Sequence, residues 1–291
     1  MNWLDNMNRA VDYIEDTLKQ KTDYAKIAQA ACYSVYHFQR VFTFITGLTL
    51  SEYIRRRRMT LAAFELQNSA VKVVDLAMDY GYDSPEAFSR AFQSLHGITP
   101  TATRSPGANV KAFPRISFQI TVKGVEEMNY RIIEKPAFQV YGIEGIFDIQ
   151  NGENLKTIPQ FWTDSLQNGE YAALVKSAGC PSSVNAVCGY RKMEGTQFPY
   201  MLCIIKTPLS DTAGYTVVDI PKATWAVFTG KPHSIEETSN AVQELTSRVY
   251  TDWLPTADYI IEEGCEFEMY YSDLQGRCYE EVWYRVLPKN S

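Results

Sequence analysis

Two arginines, Arg40 and Arg90, lie 50 residues apart at matching positions of a sequence repeat. The first stands in Phe-Gln-Arg-Val-Phe and the second in Phe-Ser-Arg-Ala-Phe. An arginine guanidinium can donate two hydrogen bonds to one guanine, and a glutamine amide can pair with adenine, each contact contributing about 1–3 kcal/mol of base discrimination. Salt-bridged surface arginines are the plain alternative, but matching places in a repeat favour contact with bases or phosphates. We expect DNA contacts from Tyr36, His37, Gln39 and Arg40 in the first copy and from Glu86, Ala87, Ser89 and Arg90 in the second.

Two of these residues keep a second interpretation. Glu86 can accept a hydrogen bond from a cytosine amino group, and it can equally stand there because carboxylates stabilise helix N-termini. Tyr36 can be half buried in the core, so contact with DNA is only slightly favoured for it.

The elements that must position these side chains are two helix-turn-helix units. Each copy of the repeat predicts a short helix, a tight turn and a longer helix, and a recurrence at this period marks two copies of one supersecondary unit. Ser34 and Ser84 are good N-cap residues for the longer helices, Val35–Thr46 and Pro85–His96. A rigid joining helix, Leu50–Gln67, would hold the two reading helices about 34 Å apart, which is one turn of DNA. The phenylalanines of the repeat, Phe38, Phe42, Phe88 and Phe92, are expected in the core.

Charge is divided unevenly along the chain. The net charge is −6, but residues 1–108 carry 12 Lys/Arg and 11 Asp/Glu, whereas residues 109–291 carry 16 and 23. The first part is therefore at +1 and has the basic character that phosphate binding needs, and the second part, at −7, weakly favours cationic small molecules. The length suits two domains, and the Pro- and Gly-containing segment Ser105–Pro114 is typical of a linker. We predict domains at residues 1–108 and 109–291.

Cysteine and histidine usage gives no sign of a metal site. The six cysteines show no C-x-x-C spacing and the chain has three histidines, so the thiols are interpreted as mostly buried small hydrophobic residues. We predict no metal, no cofactor and no catalytic set. Met1–Gln20 is predicted as a charged amphipathic helix rather than a signal peptide, and no apolar run approaches the ~20 residues that span a bilayer. The expected location is the cytoplasm, with no membrane partner.

The second half of the chain alternates apolar and polar residues with a period of two, which predicts strands. Two longer segments, Asn154–Asn168 and Ser234–Trp253, are predicted helices. The fold class is therefore an all-α N-terminal domain with two helix-turn-helix units joined by a long helix, followed by an α+β C-terminal domain. The predicted strands are Ile116–Val122, Asn129–Glu134, Phe138–Ile146, Asn185–Lys192, Tyr200–Thr207, Thr216–Ile220, Ala223–Gly230, Glu266–Tyr271 and Tyr279–Val286.

The first hundred residues resemble the DNA-binding domain of the AraC/XylS transcription regulators. The segments that carry the resemblance are Ser34-Val35-Tyr36-His37-Phe38-Gln39-Arg40-Val41-Phe42, Tyr53-Ile54-Arg55 and Gly81-Tyr82-Asp83-Ser84-Pro85-Glu86-Ala87-Phe88-Ser89-Arg90-Ala91-Phe92, closing on Gly97-Ile98-Thr99-Pro100. The resemblance implies that the two units enter successive major grooves of double-stranded DNA, as the repeat alone suggests, and it leaves RNA polymerase open as a further partner.

The second half resembles the GyrI-like effector-binding domain, in an order of modules similar to that of Rob-type regulators. Segments that match are Asn129–Glu134, Phe138–Ile146, Ile158-Pro159-Gln160-Phe161-Trp162, Ala226-Val227-Phe228-Thr229-Gly230 and Glu266-Phe267-Glu268-Met269-Tyr270. The resemblance implies duplicated strand-helix-strand modules whose halves meet around a cleft, where drug-like and often cationic molecules bind against aromatic residues and one buried glutamate.

Strand alternation over Cys265–Tyr271 puts the apolar side chains on one face and Glu266, Glu268 and Tyr270 on the other. We expect the apolar face to lie on the helices, so the acidic face must meet either solvent or the cleft. The resemblance at Glu268 favours the cleft. A desolvated carboxylate there would attract a cation, and aromatic walls would add cation–π contacts of ~0.5–2 kcal/mol. The expected ligand-binding residues are Glu268, Trp162, Tyr270, Phe147 and Tyr190, although each aromatic residue can also be ordinary core.

Three functions remain open at this point. The leading hypothesis is a transcription regulator in which a small-molecule effector in the second domain alters how the first domain meets DNA or polymerase. The alternative is a GyrI-like hydrolase of small electrophiles that uses Glu268 as general base, fused to a DNA-binding domain. A third reading is an appendage that binds no ligand.

Overall fold

The computed structural model describes residues 3–119, 127–193 and 195–289. The described residues fall into two compact units, one within Met1–Phe38 and Leu48–Gln119 and the other within Gln39–Gly47 and Ile120–Ser291. The second unit includes Gln39–Gly47, which the predicted division at residue 108 leaves in the first domain. The domain limits 1–108 and 109–291 stay a prediction.

The helical region contains the two repeated units predicted from the sequence. Its helices are α1 (Trp3–Asp16), α2 (Tyr24–Ala30), α3 (Val35–Thr46), α4 (Leu50–Asn68), α5 (Val73–Asp79) and α6 (Pro85–His96), followed by a 3₁₀ turn at Ala102–Arg104. The bounds of α3 and α6 are those predicted, because local signals specify them. The hydroxyls of Ser34 and Ser84 accept from the backbone N–H groups of His37 and Ala87 at 3.2 and 3.1 Å. Gly97, with φ of 80°, ends α6.

A compact core supports the second unit of the repeat. Phe88 and Phe92 are fully buried against Met59 of α4, Leu76 of α5 and Tyr80, which directly follows α5. The four consecutive arginines of α4 bind partners in the same region. Their partners are Glu52 for Arg55 and Arg56, Glu15 for Arg57, and the Leu18 and Gln20 carbonyls for Arg58.

The C-terminal region is built on one antiparallel eight-stranded sheet. Its strands are β1 (Asn129–Lys135), β2 (Phe138–Asp148), β3 (Asn185–Cys188), β4 (Gln197–Ile205), β5 (Thr216–Ile220), β6 (Ala223–Thr229), β7 (Tyr259–Ser272) and β8 (Cys278–Pro288). Its helices are α7 (Asn154–Gln167), α8 (Glu170–Ser177) and α9 (Thr238–Arg248), which continues as a π-helical turn, Val249–Trp253. Helix α8 is not predicted by the sequence pattern. The predicted strand at Ile116–Val122 is wrong for residues 116–119, which are not in a strand, and its remainder lies outside the described residues.

The strand order, β1-β6-β8-β7-β3-β4-β2-β5, confirms the predicted duplication. In each half a strand, a helical segment and a hairpin follow one another: β2, α7 with α8, and β3-β4 in the first, and β6, α9 and β7-β8 in the second. Each half also provides the other with an edge strand, because β1 pairs with β6 and β5 pairs with β2. The halves meet where β3 pairs with β7.

The two faces of the sheet differ from the expectation in one respect. The apolar side chains of β7, among them Phe267 and Met269, pack mainly on residues of other strands of the same sheet, and within the described part of the chain no helix residue belongs to this cluster. The opposite face is the one that the helices cover, since Trp162 of α7 hydrogen-bonds Tyr200 and Trp253 contacts Phe228 edge-on at 4.9 Å. Glu266 and Glu268 therefore lie on the helix-covered face. Among the described residues, no helix is both long and apolar enough to cross a membrane.

Candidate functional site

Strand register brings a row of polar side chains together on the helix-covered face. Cys188 of β3 lies opposite Tyr200 of β4 on one side and opposite Glu266 of β7 on the other, and Glu266 lies opposite Tyr284 of β8. Residues directly opposite each other in an antiparallel sheet point to the same face. Glu268, two residues further along β7, shares that face because side chains alternate along a strand.

Glu268 lies at the centre of a hydrogen-bonded aromatic cluster. The hydroxyls of Tyr270 and Tyr200 donate to its Oε2 at 3.0 and 3.3 Å. The indole N–H of Trp162 donates to the Tyr200 hydroxyl at 2.9 Å, and its ring meets Tyr270 edge-on at 5.4 Å. The structure therefore brings together three of the predicted ligand residues, Glu268, Trp162 and Tyr270.

The two tyrosines of this cluster remain protonated donors. Burial, and after it the charge of Glu268, raises the pKa of both Tyr200 and Tyr270 well above 10.0. Their hydroxyl protons therefore stay available to a carboxylate at neutral pH. Tyr200 was not among the predicted site residues, because its place depends on the pairing of β4 with β3.

Of the two remaining predicted ligand residues, Phe147 borders the aromatic cluster and Tyr190 lies outside it. Phe147 is buried and meets the ring of Tyr200 edge-on at 5.8 Å, so it packs against the aromatic cluster through Tyr200. Tyr190 is not part of the site that the structure assembles. Strand β3 ends at Cys188, the Tyr190 ring packs on the core of the opposite sheet face, and its hydroxyl donates to Glu144 at 2.6 Å.

Arg40 completes the site as a buried cation. One of its terminal nitrogens lies 2.9 Å from Oε2 of Glu266 and 3.9 Å from Oε1 of Glu268. The other lies 2.7 Å from the sulfur of Cys188, and the guanidinium lies over the Phe44 ring at 5.3 Å. Burial raises the pKa of Glu266 above its ordinary 4.5, and the positive charge of Arg40 acts in the opposite direction.

The space around the Arg40 guanidinium is narrow. The lining side chains, including Cys188, Tyr200, Glu266 and Glu268, enclose about 230 Å³ in total, open part included, and no point in it is wide enough for a water molecule. Arg40 therefore fills the cavity between the two carboxylates.

The predicted DNA-contacting residues are placed differently in the two copies of the repeat. In α6, Glu86 and Arg90 are exposed, and Ala87 and Ser89 are partly exposed. In α3, Tyr36 is partly exposed. The expected exposure is wrong for three residues of α3, since His37, Gln39 and Arg40 retain only 3%, 4% and 9% of their accessible surface. For Arg40 the physical reason is its ion pair with Glu266. Strand alternation predicts the face of β7 on which Glu266 lies, but it does not predict this pairing with α3.

Comparison with known proteins covers both regions of the chain. A family model described as a helix-turn-helix domain matches residues 27–105, and one described as an integron-associated effector binding protein matches residues 131–286. The transcriptional activator AarP of Providencia stuartii is 42% identical over 92 residues, which is 32% of this chain and 68% of AarP. The regulatory protein SoxS of Escherichia coli K12 is 37% identical over 94 residues, or 32% of this chain and 88% of SoxS.

Among solved structures, an integron cassette protein from the mobile metagenome of Vibrio cholerae aligns with 54% of this chain and 95% of its own, at 14% identity and a TM-score of 0.40.

Proposed function

We propose that the chain responds to a small organic cation. It belongs to the helix-turn-helix transcription regulators through residues 27–105 and to the integron-associated effector-binding proteins through residues 131–286. It is a DNA-binding transcription regulator with an effector-binding domain. The observation that supports a cationic effector is the pair of carboxylates, Glu266 and Glu268, on the helix-covered face of the sheet.

The surroundings of the two carboxylates favour a cation over a neutral or anionic ligand. A carboxylate removed from water needs a compensating positive charge, and Glu266 retains only 7% of its accessible surface. The rings of Trp162, Tyr200 and Tyr270 offer cation–π contacts of about 0.5–2 kcal/mol. The net charge of −7 over residues 109–291 acts in the same direction at long range.

On the DNA side, we propose that α3 and α6 enter successive major grooves. In α6, the exposed Arg90 and Glu86 would meet base edges, with Ala87 and Ser89 beside them. In α3 the corresponding residues are Tyr36, His37, Gln39 and Arg40, of which the last three must become accessible. Contact with RNA polymerase and a cytoplasmic location belong to the same proposal. The contact with RNA polymerase is supported by the name of the relative AarP, a transcriptional activator.

We further propose that the site binds its ligand without hydrolysing it. A general base needs an oxygen that can take a proton from water. Oε2 of Glu268 accepts from both Tyr200 and Tyr270, and the cavity that Glu268 lines together with Arg40 has no point wide enough for a water molecule. Purified chain should therefore hydrolyse small epoxides and esters no faster than its Glu268→Gln variant, and faster turnover by the unaltered chain would favour the hydrolase alternative.

Calorimetric titration with phenylguanidinium tests the cation site, and phenylurea, neutral and of the same shape, is the matched ligand control. We expect phenylguanidinium to bind and phenylurea to bind at least tenfold more weakly. Glu268→Gln should weaken phenylguanidinium binding at least tenfold. Glu144→Gln is the matched protein control, because Glu144 pairs with Arg191 and Tyr190 instead. Equal binding of the two ligands, or equal effects of the two substitutions, would overturn the cationic effector.

A further inference from the structure

Arg40 has two roles that one side chain cannot perform at the same time. The repeat predicts that it reads DNA from α3, at the position that Arg90 occupies in α6. In the structure its guanidinium instead lies between Glu266 and Glu268, and 9% of the residue is exposed. An arginine held by these carboxylates cannot also donate to a guanine.

We propose that the Glu266–Glu268 pocket is a guanidinium-type cation site, that Arg40 is its resident cation in the DNA-free chain, and that an effector cation acts by replacing Arg40 there. This inference rests on the proposed function, since it specifies how the effector of that site is recognised. An effector of this class carries a planar, delocalised positive charge with N–H donors.

The geometry around Arg40 supports replacement rather than simultaneous binding. The cavity that surrounds the guanidinium has no room for a water molecule, so a second cation cannot enter while Arg40 is present. If Arg40 left the pocket and no other cation replaced it, Glu266 would stay desolvated without the positive charge of Arg40, which is strongly unfavourable. Exchange of one guanidinium-type cation for another keeps the contacts at Glu266 Oε2 and Cys188 Sγ that Arg40 makes at 2.9 and 2.7 Å.

Competition at the pocket connects effector binding to DNA binding. Effector and DNA both favour the state in which Arg40 has left the carboxylates, so each must strengthen binding of the other by the same factor. The affinity of the effector is also reduced in the unaltered chain, because only the fraction of molecules with a vacant pocket can bind it. Removal of Arg40 removes that reduction.

The first arm of the test measures phenylguanidinium binding by calorimetry in the full chain. Arg40→Ala should bind phenylguanidinium at least tenfold more tightly than the unaltered chain. Arg277→Ala is the matched control, because Arg277 pairs with Asp273 in the turn between β7 and β8 and should leave the affinity unchanged. Equal or weaker binding by a folded Arg40→Ala variant would overturn the proposal. If that variant does not fold, Arg40→Gln, which keeps most of the side chain, replaces it.

The second arm needs no effector and measures affinity for a duplex selected by the full chain from a randomised pool. Glu266→Gln removes the charge that holds Arg40, so it should tighten DNA binding at least threefold, whereas Glu144→Gln should not. Adding Arg40→Ala to Glu266→Gln should abolish the gain. Phenylguanidinium should likewise tighten DNA binding by the unaltered chain and not by Arg40→Ala.

The two arms separate the two proposals. Binding of phenylguanidinium that depends on Glu268, with no effect of Arg40→Ala or Glu266→Gln, would keep the cationic effector and overturn the role of Arg40. A gain in DNA affinity from Glu266→Gln without phenylguanidinium binding in any variant would keep Arg40 as the resident cation and overturn this effector class. No change in either arm would overturn both.

Discussion

Helices α3 and α6 have the same length and the same spacing of phenylalanines around a central arginine, and each has a serine that accepts from the backbone at its N-terminus. Arg90 on α6 is nevertheless exposed, whereas Arg40 on α3 is buried beside two carboxylates. Local sequence therefore decides that both segments are helices and which face carries the phenylalanines. The partner that meets the arginine face is decided by residues more than 200 positions away, at Glu266 and Glu268.

The largest difference between the two arginines should appear in stability. Arg40→Ala leaves Glu266 buried without its cation and should lower the free energy of unfolding by about 3–5 kcal/mol. Arg90→Ala, on an exposed helix surface, should change it by about 0.5 kcal/mol or less. Urea unfolding at neutral pH followed by circular dichroism measures both. The double variant Arg40→Ala, Glu266→Gln should recover most of the loss, and similar losses for the two arginines would contradict the assigned difference in burial.

In DNA binding, the larger effect should come from Arg90 rather than from Arg40. Arg90→Ala should weaken binding to a selected duplex by about 1–3 kcal/mol and relax the preference at one base position. Arg40→Ala should cause a smaller net loss, because the unaltered chain must break the Glu266 ion pair before Arg40 reaches a base. Fluorescence anisotropy with single-base variants of the duplex measures both effects. A larger loss for Arg40→Ala would contradict the competition between Glu266 and DNA.

The stability cost of removing Arg40 should depend on pH. Burial raises the pKa of Glu266 above 4.5 in the folded chain, and loss of Arg40 removes the charge that opposes this shift. Between the unfolded and folded pKa values the folded state binds more protons, so its stability falls as pH rises. The deficit of Arg40→Ala relative to the unaltered chain should thus grow as the pH rises from about 4.5 to neutral. Urea unfolding across this range measures it, and a deficit that shrinks with rising pH would contradict the assignment.

The smallest effects should be equal in the two helices. Ser34→Ala and Ser84→Ala each remove one hydrogen bond to a backbone N–H, at 3.2 and 3.1 Å. Each should cost about 1 kcal/mol of stability, although the arginines that follow differ so much in burial. Thermal unfolding of the two variants measures the two losses of stability. Clearly unequal losses would indicate that burial of the α3 face also changes how much its N-cap stabilises the chain.

Local signals account for the parts of the fold that were predicted well. Capping residues and glycine place the ends of α3 and α6, and alternation places Glu266 and Glu268 on one face of β7. The rest depends on pairing between distant segments. Tyr200 lies in the site because of the register of β4 with β3. Tyr190 lies outside it because β3 ends at Cys188. The position of the apolar β7 face follows from packing within the sheet.

The exchange of edge strands has a consequence for how the C-terminal region is made. Asn129 at the start of β1 pairs with Thr229 at the end of β6, so β1 meets this neighbour only after about a hundred further residues have been synthesised. Pairings that are far apart in sequence form slowly, and an unpaired strand is open to association with other chains. Chains truncated between β5 and β6 should therefore aggregate during synthesis rather than yield a folded half.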